Sequence, residues 1–169
     1  TFDWLMDLSE ENNIKSTFNF IFGKSHKFNP DYDINDNKVL DLIKKINERG
    51  HLIGLHPSYD CYNRPNLIKK EFDKFIQILN YKNIHQKKVF SRVHYLRWKS
   101  PETLIYLNDS KINVDNSMLF VDHAGFRCGT CHSYPGYDIL NNKILNIRVE
   151  PLILMDVTLF DYMKLNNKA

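Results

Sequence analysis

Four apolar stretches of this chain run into ionisable residues that could do hydrolytic or metal chemistry. GHLIGLHPSYD contains His56 where its apolar part stops, and KVFSRVHY contains Arg92 and His94 near its end. INVD and LILMD finish on Asp115 and Asp156. Because Asp, His and Arg are mostly kept out of strands, this recurrence indicates that the strand ends share a functional site.

His56 is a candidate ligand for a divalent metal ion such as Zn²⁺, because a neutral imidazole at the mouth of a sheet suits such an ion. Asp60 lies four residues later, and His94 is expected at the neighbouring strand end. Together these residues would supply the three protein ligands that a catalytic zinc ion needs. The alternative is that His56 is a hydrogen-bonded structural residue. The spacing alone favours this alternative, and the neighbouring Asp60 and His94 leave both interpretations open.

Arg92 precedes His94 by two residues, so both side chains should point to the same side of a strand. A guanidinium there can hold a carboxylate through two parallel hydrogen bonds. Alternatively, Arg92 neutralises a buried carboxylate, for which Asp115 is the obvious partner. The candidate catalytic residues are Arg92, Asp115 and Asp156.

Aromatic and polar side chains near the strand ends are candidates for binding a carbohydrate. The aromatic ones could stack on a sugar ring, although such residues are often part of the core or its rim. The polar ones belong to the loop DHAGFRCGTC, which could face a substrate or could be an ordinary excursion of the chain. The candidate substrate-binding residues are Tyr59, Tyr95, Trp98, Asp122, His123 and Arg127.

The stretch CGTCH, from Cys128 to His132, has the spacing of a c-type haem attachment site. A c-type haem protein is therefore a remote alternative. Haem attachment would require export, however, and the N-terminus lacks the basic-then-apolar pattern of a signal peptide. Only Cys61 lies elsewhere, so a four-cysteine zinc site is excluded. We predict that the cysteines are reduced and structural.

Helices and strands alternate along the chain and should position these residues. Apolar periodicity predicts helices over residues 2–13, 37–49 and 66–81, with a short helix after Pro101. Strands are predicted over residues 16–22, 51–56, 88–95, 112–115, 145–149 and 152–156. This alternation implies a largely parallel sheet, in which chemistry gathers beyond the carboxyl ends of the strands.

The composition is that of an ordinary globular protein. The chain has 169 residues, of which 43% are hydrophobic and 25% are charged. This size suits a single domain over residues 1–169. The net charge is +3 and the lysines are scattered, so we expect no nucleic-acid binding. No apolar run approaches the roughly 20 residues of a membrane span. We expect a cytoplasmic protein, and the sequence does not indicate its oligomeric state.

Five segments in this order resemble the polysaccharide deacetylases of carbohydrate esterase family four, most closely a branch from bacterial surface-polysaccharide contexts. They are KSTFNFIF, ERGHLIGLHPSYD, RVHYLRW, VDNSMLFVDHAGFRCGTC and EPLILMDVTLF. The resemblance spans nearly the whole chain. It implies a partial, distorted (β/α) barrel that holds one divalent metal ion, usually zinc, and removes N-acetyl groups from aminosugars.

The resemblance also implies that His56 binds the metal ion and that Arg92 orients a catalytic aspartate. In the family a metal-bound water attacks the amide carbonyl, and a histidine protonates the leaving amine. Asp60 stands where the family has its second metal-binding histidine, and His94 stands where proline is common, so we expect His94 to compensate as a ligand.

The family's strand with paired aspartates and its late histidine have no counterpart here. We therefore expect a domain that is incomplete at both ends and an isolated chain that is nearly inactive. The alternative is a degenerate carbohydrate-binding domain, which Asp60 in place of a histidine suggests.

Overall fold

The computed structural model of the protein describes residues 1–23 and 26–165. Its α-helices are α1 (Phe2–Glu11), α2 (Asn37–Glu48), α3 (Pro65–Tyr81) and α4 (Glu102–Asp109). Its strands are β1 (Thr17–Phe20), β2 (Leu52–Leu55), β3 (Phe90–Ser91), β4 (Val114–Asp115), β5 (Tyr134–Asp138) and β6 (Lys143–Val149). Short 3₁₀-helices cover Cys61–Asn63 and His94–Leu96, and a π-helical turn covers Thr158–Tyr162.

The six strands form one sheet in the order β1-β2-β3-β4-β6-β5. Every neighbouring pair is parallel except β5 and β6. The predicted α/β class and the largely parallel sheet are confirmed. The sheet of the described residues is open, however, because β1 and β5 lie at opposite edges and do not pair to close a barrel.

Helix α2 shows how the sequence specifies its elements. Leu40, Ile43 and Ile46 recur at helical spacing and are buried. The Asp36 side chain caps the helix by accepting the Lys38 N–H at 2.8 Å. Gly50 follows the helix with φ +84°, a conformation that favours glycine.

In the described part of the chain, no helix combines the length and the apolar character that crossing a bilayer requires.

The sheet has two different faces. Phe20, Ile53 and Leu55 are buried in one core with apolar residues of α2 and α3, so we name their side the helix-covered face. Successive strand residues alternate between faces. The register aligns Asn19 with Gly54 and Phe90 on the other side, which we name the open face. Residues two positions beyond Gly54 and Phe90 continue on the open face.

The predicted strand over residues 152–156 is wrong. Pro151 precedes this segment and lacks an N–H for a ladder. The segment instead contacts the loop after β4, where the Leu152 N–H donates to the Met118 oxygen at 3.0 Å. Asp156 begins a short helical turn and is exposed. The helical turn continues into Thr158–Tyr162.

Two other departures concern strand length and a missed hairpin. The predicted strand over residues 88–95 is paired only at Phe90–Ser91, because the chain turns into the 3₁₀-helix His94–Leu96. The pattern does not predict strand β5, since its sequence YPGYD contains residues that disfavour strands. Its turn into β6 is held by Asp138, whose Oδ1 accepts the Leu140 N–H at 3.0 Å.

Candidate functional site

The two histidines that the sequence places at neighbouring strand ends are in contact. His56 directly follows β2, and its backbone N–H donates to the backbone oxygen of Phe20 at 2.7 Å. His94 lies just beyond β3, and its Nδ1 is 2.9 Å from Nε2 of His56. The prediction that these side chains meet at the carboxyl edge of the sheet is therefore confirmed.

Backbone carbonyls fix the tautomers of both imidazoles. Nδ1 of His56 contacts the Arg92 oxygen, and Nε2 of His94 lies 2.6 Å from the Phe28 oxygen. A carbonyl only accepts, so each of these nitrogens must donate a proton to it. In the neutral pair, Nε2 of His56 and Nδ1 of His94 then face each other with lone pairs. Two acceptors at 2.9 Å repel unless a proton or a metal cation lies with them.

The surroundings of His56 keep its imidazole neutral, which is the form that could bind a metal ion. Burial, together with the neighbouring charges of His94 and Arg92, lowers the pKa of His56 to about 4, so its imidazole is neutral at pH 7. Metal-binding histidines typically donate their second ring nitrogen to a carbonyl, as both do here. Two nitrogens on a tetrahedral zinc ion are about 3.3 Å apart, so the pair would have to open by only a few tenths of an ångström.

Asp60 does not complete the predicted three-ligand set. Its carboxylate lies 3.8 Å from Nε2 of His26 and 3.8 Å from Nη1 of Arg97. Across residues 1–23 and 26–165, no three His, Cys, Asp or Glu side chains form a group that could hold a metal ion. The described residues therefore fit two nitrogen ligands of a metal site, and the predicted set of His56, His94 and Asp60 is not assembled.

Arg92 lies on the open face beside the histidine pair without a carboxylate partner. No described acid forms an ion pair with its guanidinium, and its buried Nε has no hydrogen-bond partner among the described residues. Burial lowers the pKa of Arg92, while the charge of Asp115 opposes this change. Arg92, His56 and Asn19 line a pocket of about 460 Å³ next to α1, and the buried Oδ1 of Asn19 likewise has no described partner.

Asp115 lies at the carboxyl end of β4, but on the helix-covered face. Its carboxylate is fully buried and accepts the Ser117 N–H at 2.9 Å, the Ser117 hydroxyl at 2.8 Å and the Ser91 hydroxyl at 3.1 Å. Burial, which outweighs these hydrogen bonds, raises its pKa to about 6. This position does not support contact with a substrate. The pair of parallel hydrogen bonds that Arg92 could donate to a carboxylate is not formed with Asp115.

An aromatic cluster lies beside the histidine pair. The Tyr59 ring is 4.5 Å from that of Phe28, 5.5 Å from that of Tyr95 and 5.3 Å from that of His26. Tyr95 is 63% exposed and adopts φ +56°. Such strained conformations cluster at functional sites. The cluster brings together two predicted substrate-binding residues at the same edge as His56 and His94.

The sequence did not single out three members of this neighbourhood. His26 and Phe28 lie in the loop after β1, and a signal for them existed, because that loop leaves the same edge of the sheet. The Arg97 guanidinium lies 3.9 Å from the Tyr59 ring centre and 4.0 Å from that of Tyr62. These cation–π contacts stabilise the position of the loop after β2, which contains Tyr59.

The other predicted substrate residues are placed differently. Trp98 is partly buried and packs on the core. In the loop after β4, His123 contacts its neighbour Asp122 at 2.8 Å, and Arg127 donates to the Leu119 oxygen at 2.9 Å. These side chains hold their own loop, and their role toward a substrate stays a prediction.

The three cysteines are free thiols. Cys61 is buried under the loop after β2, which agrees with a structural role. Cys128 is partly buried, and Cys131 is exposed.

A larger cavity than the one beside Arg92 lies elsewhere, between the loop after β1 and α3. Its volume is about 1220 Å³, and Asp60 and Glu71 are among its lining residues. Neither histidine of the pair lines it. We place the candidate site at the histidine pair, because the facing imidazole nitrogens, the Arg92 guanidinium that pairs with no described acid, and the aromatic cluster converge there.

Comparisons with known proteins support the fold. Models of known protein families gave no match, and neither did the curated proteins. Among solved structures, the chain is similar to a "putative polysaccharide deacetylase" from Mycobacterium smegmatis, with a TM-score of 0.58 and 17% sequence identity. The match covers 88% of this chain and 44% of that chain, so this chain spans less than half the length of its neighbour. At this identity the likeness shows the mixed α/β fold alone.

Proposed function

We propose that the protein is a metal-dependent hydrolase that removes N-acetyl groups from aminosugars of a bacterial surface polysaccharide or its precursor. The observation that carries the proposal is the contact between His56 and His94, which directs two imidazole lone pairs at one point. The name of the structural neighbour and the resemblance of the sequence segments support the same chemistry.

The residues at the carboxyl edge of the sheet would have three different roles: metal binding, placement of a positive charge, and stacking on the sugar. His56 and His94 would hold the divalent ion, for which zinc is the best candidate, with their tautomers fixed by backbone carbonyls. Such an ion supplies an activated water and polarises the amide carbonyl. Arg92 would place its positive charge beside the reacting group, and the exposed ring of Tyr95, with Tyr59, would stack on the sugar.

The described residues lack a third protein ligand and a general base near the pair. We therefore expect weak metal binding by this chain, and loss of general-base help costs on the order of 10²–10⁴-fold in rate. A domain that binds sugar without turnover is the rival proposal, and the aromatic cluster together with the missing third ligand favours it.

Calorimetric titration with Zn²⁺ tests the metal proposal on the wild type, His56→Ala, His94→Ala and His123→Ala. We expect one site, with affinity reduced at least about tenfold in the first two variants, since each loses a ligand. His123→Ala is the matched control, because it removes an exposed histidine outside the pair. Equal affinity in all four proteins would show that the pair does not bind the metal.

Deacetylation of N-acetylated aminosugar oligomers separates the two proposals. The assay is run with added Zn²⁺ and with a chelator, and sugar binding is measured in parallel for the wild type and Tyr95→Ala. Slow, chelator-sensitive turnover would support the hydrolase. Sugar binding without turnover would support the rival, and chelator-insensitive turnover would exclude the metal mechanism.

A further inference from the structure

Glu71 of α3 is a buried carboxylate that the proposed chemistry does not use. It is only 2% exposed, and both of its oxygens contact Ser58 in the loop after β2. Oε2 accepts the Ser58 N–H at 3.0 Å, and Oε1 accepts the Ser58 hydroxyl. Burial raises the pKa of Glu71. Burying such a group is costly unless it is well hydrogen-bonded, so its presence calls for an explanation.

The surroundings show that Glu71 does not serve an ion pair. No described Lys, Arg or His nitrogen forms a salt bridge with it, and Lys74 acts on it only at longer range. The chain after β1 closes over the contact, since a Cβ on Gly23 would lie 2.3 Å from Oε1 of Glu71 and 2.7 Å from the Ser58 hydroxyl oxygen. The Cys61 sulfur lies 3.4 Å from the same hydroxyl. Glu71 and Ser58 therefore form a hydrogen-bonded unit, which lies at the wall of the larger cavity that both residues line.

This unit is connected to the histidine pair through one peptide group. The Ser58 N–H and the Pro57 carbonyl belong to the same planar unit. Glu71 accepts from the N–H end, and the carbonyl end accepts the N–H of His94 at 3.0 Å. Turning this peptide plane would move the backbone anchor of His94. It would also move His56, which directly precedes Pro57.

We propose that Glu71 is a positioning residue for the His56–His94 contact, acting through the Pro57–Ser58 peptide group. A carboxylate suits this task because it accepts two hydrogen bonds from one residue and so fixes the direction of the peptide plane. An apolar residue of the same size would fill the space and leave the plane free to turn. The catalytic meaning of this role rests on the proposed function, while the positional role does not.

Amide hydrogen exchange of His94, followed by NMR, tests the positional role. Glu71→Met keeps the volume of the side chain and removes both accepted hydrogen bonds, whereas Glu71→Gln keeps an acceptor for the Ser58 N–H. We expect exchange at His94 to be at least about tenfold faster in Glu71→Met, since the Pro57–Ser58 peptide group then loses the hydrogen bond that fixes the direction of its plane. In Glu71→Gln we expect exchange within about threefold of the wild type.

Ile78→Ala is the matched control for general loss of stability. Ile78 is buried on the same helix, about two turns from Glu71. If Ile78→Ala accelerates exchange at His94 as much as Glu71→Met does, Glu71 is merely structural. If Glu71→Met exchanges like the wild type, the proposal is also wrong. Should Glu71→Met not fold, Glu71→Asp gives the same test, because the shorter carboxylate cannot reach the Ser58 N–H.

Zn²⁺ titration of the same variants separates this inference from the proposed function. We expect about tenfold weaker binding in Glu71→Met, and binding like the wild type in Glu71→Gln and Ile78→Ala. Absence of zinc binding by the wild type would overturn the proposed function, and faster exchange at His94 would still support the positional role. Unchanged zinc affinity in Glu71→Met would overturn the link between Glu71 and the pair.

Discussion

Replacing Asp115 by asparagine should stabilise the protein at neutral pH and leave it nearly unchanged at pH 4. The carboxylate is fully buried on the helix-covered face, and its pKa is raised from an ordinary 3.8 to about 6, chiefly by burial. Folding therefore favours the protonated acid. Asparagine has the same shape, can accept the Ser117 N–H, and carries no charge at any pH.

The magnitude follows from the change in proton affinity. Each tenfold change in that affinity is worth about 1.4 kcal/mol. A rise in pKa from 3.8 to about 6 therefore corresponds to roughly 3 kcal/mol. Because folding raises the pKa of this carboxyl group, the protein becomes less stable as the pH rises and the group ionises. The contribution to stability is fully present below the unfolded pKa of about 4 and is lost as the pH rises through about 6. The wild type should lose this stability over that window, and Asp115→Asn should not.

Urea denaturation at several pH values between 4 and 7.5 measures the effect. With a slope of about 2 kcal/mol per molar urea, the difference between the midpoints of the variant and the wild type should grow by about 1.5 M across the window. Asp109→Asn, at an exposed position, is the control and should show no such growth. A difference that stays constant, or a wild type that gains stability relative to Asp115→Asn as the pH rises, would refute the argument.

Two further predictions concern the backbone and the thiols. Lys111 adopts φ +68° after α4, and Gly50 adopts φ +84° after α2. In urea denaturation, Lys111→Gly should therefore raise the free energy of unfolding by about 1 kcal/mol, and Gly50→Ala should lower it by a similar amount. Burial raises the pKa of Cys61, so in a thiol-reagent titration Cys131 should react in the folded protein and Cys61 only after unfolding. Equal reaction rates would contradict the second prediction.

The sequence was sufficient to bring His56 and His94 together because that inference needed only the order of elements. Parallel strands that are consecutive along the chain tend to be neighbours, and their carboxyl ends share one edge. The helix between β2 and β3 is strongly periodic, so the crossover that makes these strands parallel was predictable. No detail of side-chain packing entered the inference.

The position of Asp115 at the end of a strand does not determine the face of the sheet to which its side chain points. A shift of one residue in a strand moves a side chain to the other face of the sheet. A two-residue strand such as Val114–Asp115 carries no pattern that shows which face it presents. The register aligns Asp115 with Ser91, and Ser91 with Leu55, so Asp115 lies on the helix-covered face. Its position at a strand end was predictable, while its orientation was not.

Asp60 shows a second limit, because the direction of a loop depends on contacts from distant parts of the chain. Glu71 of α3 holds Ser58, and Arg97 donates to the Tyr59 oxygen at 2.8 Å while its guanidinium lies between two tyrosine rings. These contacts fix the loop so that Asp60 lies near Arg97 and His26. A spacing of four residues from His56 contains none of this information. The same contacts that orient the peptide group behind His94 thus keep Asp60 from the pair, so a third ligand would have to come from elsewhere.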